Sequence, residues 1–188
     1  MKILHRDMTV ENMMYRLDAE NNVVGVLNGF DLAVMLSEQE NGPVSKQRIG
    51  TRPYIAIELL ESADGNPPLH LCRHDLESMM YVILDLACYR QFLEKDQETS
   101  PIKVWFSVEF TAPQLALGKL GFLMGNNLPN ASKEMENLLP LLHRLVKMFH
   151  QGYFARGDTN YPGMIDEFDS DILGGFVTLD KFTKFFVL

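Results

Sequence analysis

Residues 75–89 form the segment that most constrains how this chain can fold. Their apolar side chains recur every three or four residues, which is the spacing of one face of an α-helix; they are Leu76, Met79, Met80, Ile83, Leu86 and Ala87. Val82 extends the apolar stripe almost all the way round the helix. Because such a helix must be surrounded by other elements, the sequence predicts a mainly α (α+β) fold built around it.

The first third of the chain has strand and turn character. Residues 23–27, V-V-G-V-L, form a β-branched run after two asparagines, and they predict the second strand of a hairpin whose first strand is 13–17. Residues 37–53 are polar and contain Gly-Pro and Pro turn signals, which predicts a loop. A short β-hairpin followed by a helical bundle is therefore expected.

The second half of the chain completes the predicted bundle. Its periodicity favours helices over 112–124, 132–149 and 179–187. Pro140 is expected to break or kink the longest of them, and Ser132 to cap its start.

Composition excludes several classes of protein. The chain has 188 residues, 17 basic and 25 acidic, so its formal charge is −8, which argues against nucleic acid or an anionic membrane as a partner. It has only two cysteines, Cys72 and Cys88, too few for a disulfide scaffold, and no targeting segment. We therefore expect an intracellular, cytoplasmic protein of one domain or part of one.

The first motif that carries chemistry begins at His5. His5-Arg6-Asp7 is followed five positions after the aspartate by Asn12, which is the H-R-D-x-x-x-x-N spacing of a protein-kinase catalytic loop. In such a loop the aspartate accepts or orients a hydroxyl proton, the asparagine holds magnesium, and the arginine can bind a phosphate. The alternative is a surface turn with ordinary charges.

Two further segments follow in the order in which kinase motifs occur. Residues 50–58, G-T-R-P-Y-I-A-I-E, are similar to the end of an activation segment, with Ile57 where proline is usual. Residues 73–78, R-H-D-L-E-S, open the central helix and are similar to the start of the large kinase F helix. A buried Asp75 carboxylate there would accept main-chain N–H bonds and hold the catalytic loop rigid.

Taken together, residues 2–125 resemble the C-terminal lobe of a protein kinase, and more specifically the fungal-specific protein-kinase-like family. The residues that carry the resemblance are His5-Arg6-Asp7, Gly25 to Asn28, Phe30 to Ala33, Gly50-Thr51 and 73–78, with 103–105 and 119–123 less specific. The resemblance implies one partial domain over 1–188, with the catalytic loop and activation segment in 1–58 and a helical C-lobe in 59–188.

The resemblance also implies an activity and a set of residue roles. The activity is phosphoryl transfer from ATP to a protein hydroxyl, of the serine/threonine type, with ATP and Mg²⁺ as cofactors. The catalytic residues that it implies are Asp7, Arg6 and Asn12, the metal ligand is Asn12, and the structural residues are His5, Thr51, Glu58 and Asp75. The arginine expected to pair with Glu58 is Arg144.

Departures from the kinase pattern argue against activity in this chain. Gly29 stands where a kinase carries its magnesium-binding aspartate, and glycine has no ligand atoms. Asp31, two positions on, could replace that ligand only if the segment stays extended. Thr9 stands where a phosphate-facing lysine is usual. Only four residues precede His5, so we expect the N-lobe, with its nucleotide clamp, to be absent and ATP binding to be weak.

Several alternatives remain open at the level of sequence. The chain could be a pseudokinase-like module that binds or scaffolds a partner chain, or a truncated gene product. His70, Cys72 and His74 could share a metal on an extended segment, although a loop before the helix is preferred. Ser37, Ser45 and Thr51 could be phosphorylated and paired with Arg6, although solvated hydroxyls are favoured.

Overall fold

The computed structural model describes residues 3–36, 50–61, 68–88, 103–125, 128–159 and 168–187. Over these residues the fold is mainly helical, with a small hairpin region of two sheets, as the sequence predicts. Most of the predicted loop, residues 37–49 with Ser37 and Ser45, lies outside the described residues.

The strands form two antiparallel pairs near the start of the chain. They are β1 (Ile3–Leu4), β2 (Met13–Leu17), β3 (Val23–Leu27) and β4 (Val34–Met35). β1 pairs with β4, and β2 pairs with β3 in a register that places Met13 opposite Leu27. The Asp18 carboxylate closes the β2–β3 turn by accepting the N–H of Glu20 and of Asn22 at 2.8 and 2.9 Å. The predicted hairpin is therefore confirmed at its predicted bounds.

Six α-helices are described, and they build the rest of the fold. They are α1 (Ile57–Glu61), α2 (Cys72–Cys88), α3 (Lys103–Phe106), α4 (Ala112–Gly125), α5 (Leu139–Asp158) and α6 (Leu179–Lys184). α2 packs against α5 and α6, and α1 packs against α4. Of the 17 residues of α2, 13 are buried, which confirms its predicted central position, although it begins three residues earlier than predicted.

The helix predicted over 132–149 is divided into two helical segments, and the sequence did not predict this division. Residues 133–138 form a 3₁₀-helix, and α5 begins at Leu139 and runs to Asp158. Pro140 therefore lies in the first turn of α5, where its missing N–H would have had no partner in the helix, instead of breaking a continuous helix. The predicted cap is wrong, because the Ser132 hydroxyl is buried and bonds to nothing in the described structure.

None of the described helices combines the length and the apolar character needed to cross a bilayer.

Candidate active site

A single carboxylate on α2 holds the His5-Arg6-Asp7 loop. Asp75 Oδ2 accepts the N–H of His5 at 2.7 Å, and Oδ1 accepts the N–H of Arg6 at 3.0 Å. His70 lies with a ring nitrogen 2.9 Å from the same Oδ1. Burial raises the pKa of Asp75, but the bonds from His70, His5 and Arg6 outweigh it, so the pKa lies below its ordinary value. The carboxylate therefore stays ionised and fixes the loop backbone.

This anchor accompanies an unusual backbone conformation. Arg6 has φ +69°, in the left-handed region that costs a residue with a Cβ roughly 1–2 kcal/mol. The conformation lets two successive N–H groups point at one carboxylate. The two hydrogen bonds to Asp75 thus stabilise this strained backbone conformation.

The loop brings Asp7, Asn12 and Thr51 together. Asp7 Oδ1 accepts the N–H and the hydroxyl of Thr51, both at 3.0 Å. The Asn12 amide nitrogen donates to Asp7 Oδ2 at 3.2 Å and to the Asp7 carbonyl at 2.9 Å. The small cleft here, of about 10 Å³, has room for about one water. The arrangement presents a carboxylate that is oriented by donors on both oxygens, so it can orient a hydroxyl that donates to one of its remaining lone pairs.

His5 connects the same loop to the end of β3. Its Nδ1 accepts the N–H of Asp7 at 3.3 Å, so Nε2 carries the proton and donates to the Asn28 carbonyl at 2.7 Å. The edge of the imidazole also meets the Phe30 ring, with centroids 4.9 Å apart. His5 is buried, and it fixes the residues that follow β3 against the loop.

Gly29 lies directly against Asn12. Its φ is +76°, and a Cβ at this position would lie 2.4 Å from Asn12 Oδ1, which is closer than any real contact. Asp31 sits in an exposed 3₁₀-turn, Phe30–Leu32, and makes no hydrogen bond to Asp7 or Asn12 within the described structure. The segment is therefore not extended there, so the condition under which Asp31 could replace the missing ligand is not met.

These residues do not fit the magnesium that the kinase resemblance implies. Mg²⁺ prefers carboxylate oxygens arranged around it, and in kinases the main one belongs to the residue at the Gly29 position. No group of three or more His, Cys, Asp or Glu side chains placed to hold a metal occurs among the described residues. The side-chain oxygens of Asp7 and Asn12 remain as possible metal ligands, and these two side chains already bond to each other.

The end of the activation-segment-like stretch is held by an ion pair. Glu58 is bonded by the Arg73 guanidinium, and His74 Nε2 lies 3.1 Å from the same carboxylate oxygen. Burial raises the pKa of Glu58, but His74 and Arg73 together lower it to about 2. Arg73 Nε also donates to the Ser170 carbonyl at 2.7 Å, so one arginine joins three segments.

The expected partner of Glu58 is therefore wrong. Arg144 is exposed on α5 and donates to the Pro140 carbonyl of its own helix at 3.2 Å. Arg73 takes the role because it lies at the start of α2, beside α1, and it is almost fully buried.

Two buried charged residues, Glu77 and Lys119, bond to the backbone at the start of α1 and just before it. Neither was identified from the sequence. Glu77 accepts the N–H of Ile57 at 2.9 Å and the hydroxyls of Tyr81 and Tyr153 at 2.8 and 2.6 Å. From the other side, the Lys119 ammonium donates to the Ile55 carbonyl at 2.6 Å, and its burial lowers its pKa to about 7. The available signal was a charged residue within an apolar stretch of helix, which is clearest for Lys119, the one charged residue of α4.

Two histidines, one just before α2 and one in its first turn, each contact a carboxylate. His70 meets Asp75, and His74 meets Glu58, while Cys72 is partly exposed with a thiol pKa raised by burial. Their role in the described structure is thus to support the two anchoring carboxylates.

One comparison with known proteins matches the part of the chain that contains these residues. The model of the family described as fungal protein kinase matches residues 1–87, which end near the C-terminus of α2 and include the catalytic-loop motif, Gly29, Glu58 and Asp75. The match confirms the resemblance to a fungal protein-kinase-like family over that part of the chain. No curated protein and no solved structure matches the chain.

Proposed function

We propose that this chain is a kinase-like lobe of the serine/threonine type that keeps the catalytic-loop frame but does not transfer phosphate from ATP to a protein hydroxyl. The observation that carries the proposal is Gly29, whose missing side chain is replaced by the amide of Asn12 packed against its Cα. The position of the expected magnesium carboxylate therefore has no ligand, and the Asn12 amide lies where a side chain would begin.

The physical argument is that phosphoryl transfer depends on charge stabilisation. The protein does little covalent chemistry, and metal ions neutralise the charge that develops on the phosphates. Asp7 remains oriented by Thr51 and Asn12, so it can still bind a hydroxyl. A base without the metal-bound phosphate has nothing to which it can direct that hydroxyl.

Nucleotide binding and turnover by the purified chain test the proposal. We expect no magnesium-dependent ATP affinity in the micromolar range by calorimetry, and no transfer to a serine or threonine peptide above the level of Asp7→Asn. Asp18→Asn, which changes a partly exposed carboxylate in the β2–β3 turn, outside the catalytic loop, is the matched control. Micromolar Mg-ATP affinity together with turnover that Asp7→Asn abolishes and Asp18→Asn keeps would overturn it.

A second function, that of a partner-binding module, is favoured by the exposed face of the hairpin. Tyr15 and Val23 are 72% and 71% exposed, and Leu17, opposite Val23 in the register, is 54% exposed. Adjacent large apolar side chains in water are typical of a surface that another protein covers. We propose that a second protein chain covers the apolar side chains of the β2–β3 face.

Size exclusion with light scattering tests this second function. The double substitution Tyr15→Ser with Val23→Thr should abolish association of the protein with a second copy or with an identified partner chain. Phe154→Ser, which replaces an exposed apolar side chain on α5, should leave that association unchanged. A chain that stays monomeric and captures no partner at high concentration would count against the function.

A further inference from the structure

An open groove with an apolar floor lies between α5 and the residues around α6. Its volume is about 360 Å³, and its apolar side chains are Met148, Phe176 and Phe185. Met148 is buried, and the two aromatic rings are half-buried. The volume lies within the range of sites that hold a ligand or a few side chains.

Four basic side chains surround this floor. These rim cations are Arg144, Lys147, Lys181 and Lys184. All four are exposed, and none has a carboxylate within 4 Å among the described residues. Arg144 lies 5.7 Å from the Phe185 ring and Lys181 lies 6.0 Å from the Phe176 ring, so the charges border the apolar surface directly.

The charge of this groove is opposite to that of the molecule. The chain carries a formal charge of −8, yet four of its 17 basic residues line one groove, and none of the acidic residues that the structure describes lines it. An anionic ligand is repelled by the chain as a whole and attracted at this place, which favours binding here over the remaining surface.

We propose that the groove binds a short acidic segment of a protein partner that inserts a large apolar side chain between α5 and α6. The floor provides the apolar contact, and the rim cations pair with carboxylates on both sides of it. The α5 side chains of the groove run from Arg144 to Gln151, about two helical turns or roughly 10 Å, which is the reach of a few extended residues.

The number and placement of the charges favour a peptide over other anionic ligands. A fatty acid carries one carboxylate and would leave three rim cations without an anionic partner, although Lys181 and Arg144 each also donate to a backbone carbonyl, at Gly175 and Pro140. A lipid bilayer is met by basic residues on a protruding face, whereas these surround a recess. An acidic peptide carries several carboxylates at residue spacing, together with the apolar side chain that the floor requires.

The groove shares no residue with the catalytic loop, with Gly29 or with the β2–β3 face. The inference therefore goes beyond the proposed function, and either can fail without the other.

Fluorescence anisotropy with designed peptides tests the inference. The probe is a labelled peptide with glutamates on both sides of a Leu-Phe pair, and its two controls replace the glutamates by lysine or the Leu-Phe pair by serine. We expect saturable, salt-sensitive binding of the first probe, and at least tenfold weaker binding of both controls.

Charge reversal in the protein locates the binding. The double substitution Lys147→Glu with Lys181→Glu should lower the affinity for the acidic probe at least tenfold. Arg16→Glu with Lys133→Glu gives the same net charge at exposed positions outside the groove and should change affinity less than threefold. Thermal unfolding of both variants checks that they fold.

Three results would overturn the proposal. The first is no saturable binding of the acidic probe, and the second is equal loss in the groove and control variants. The third is groove-dependent binding of anionic phosphatidylserine vesicles or of a free fatty acid without binding of the peptide, which would assign the groove to a lipid.

Discussion

At the scale of single residues, Gly29 shows that a missing ligand can be a structural requirement. A side chain here would be strained by the φ of +76°, and the Asn12 amide would have to move away from its bonds to Asp7, so we expect that adding a carboxylate alone does not restore the site. A sequence comparison with kinases would suggest Gly29→Asp as a repair, and the geometry predicts the opposite result.

The first prediction concerns that repair. Gly29→Asp should lower the free energy of unfolding by about 1–3 kcal/mol, from left-handed strain and from the clash with Asn12, without creating Mg-ATP affinity. Urea unfolding and calorimetry measure the two effects. Gly25→Asp, at an exposed strand position with open space around it, is the control and should cost less. A stable Gly29→Asp protein that binds Mg-ATP would contradict the account of the site.

The second prediction concerns the anchor of the loop. Asp75→Asn keeps the shape but turns one acceptor oxygen into a donor, so either the His5 or the Arg6 N–H loses its partner. We expect a loss of about 1–3 kcal/mol in unfolding free energy and faster hydrogen exchange at these two amides. Asp180→Asn, on the exposed first turn of α6, should change neither amide. Unchanged exchange in Asp75→Asn would show that the loop does not depend on this carboxylate.

At the scale of elements, α2 organises the site because its first turns supply most of the anchors. Arg73 binds Glu58, Asp75 binds the catalytic loop, and Glu77 binds the N–H of Ile57 at the start of α1. Further along the same helix, Asp85 accepts the Tyr54 hydroxyl at 2.7 Å. One buried helix thus fixes two separate stretches of chain relative to each other.

The sequence predicted the part of this arrangement that has a regular pattern. The apolar spacing gave α2 its central position, the β-branched run gave the hairpin, and the motif spacing gave Asp7, Asn12 and Asp75. It did not give Arg73 as the partner of Glu58, because the pairing depends on how α1 and α2 pack and not on any local spacing. Glu77 and Lys119 were missed for the same reason, since a charged residue in an apolar helix shows that it needs partners but not which ones.

The third prediction compares two Arg–Glu pairs of the same protein. Arg73→Met should cost about 3–5 kcal/mol, because it leaves a largely buried Glu58 without its cation and removes the bond to the Ser170 carbonyl. Arg156→Met breaks the Arg156–Glu61 pair, whose side chains are 33% and 37% exposed, and should cost at most about 1 kcal/mol. Denaturant unfolding of both variants measures the two losses in unfolding free energy. Equal costs would mean that Glu58 is more solvated than the structure shows.

At the scale of the whole molecule, the buried carboxylates and histidines make stability depend on pH. His74 is fully buried, its Nδ1 accepts the N–H of Leu71 at 3.0 Å, and its Nε2 faces Glu58. Burial lowers its pKa from 6.5 to about 4, and the accepting Nδ1 has no place for a second proton. Glu58, with a pKa of about 2, remains ionised throughout the range in which His74 titrates.

The fourth prediction follows from the sign of these shifts. Between about pH 6.5 and pH 4 the unfolded chain binds a proton at His74 that the folded chain does not, so stability falls as the pH falls. From pH 7 to pH 5 this one residue should remove roughly 2 kcal/mol. The stabilising contribution of Glu58 is present above about pH 4.5 and is lost only as the pH approaches 2, so it does not account for this decrease.

Urea unfolding at pH 7 and pH 5 isolates the contribution of His74. His74→Gln should be less stable than the parent chain at pH 7, because its amide cannot reproduce both imidazole bonds, but its difference between the two pH values should be smaller by roughly 2 kcal/mol. His143→Gln, at an exposed position on α5, should keep the parent difference. If His74→Gln instead shows the full parent difference, the acid sensitivity belongs to the other carboxylate anchors, of which Asp75, with its lowered pKa and its bonds to the loop, is the next to replace.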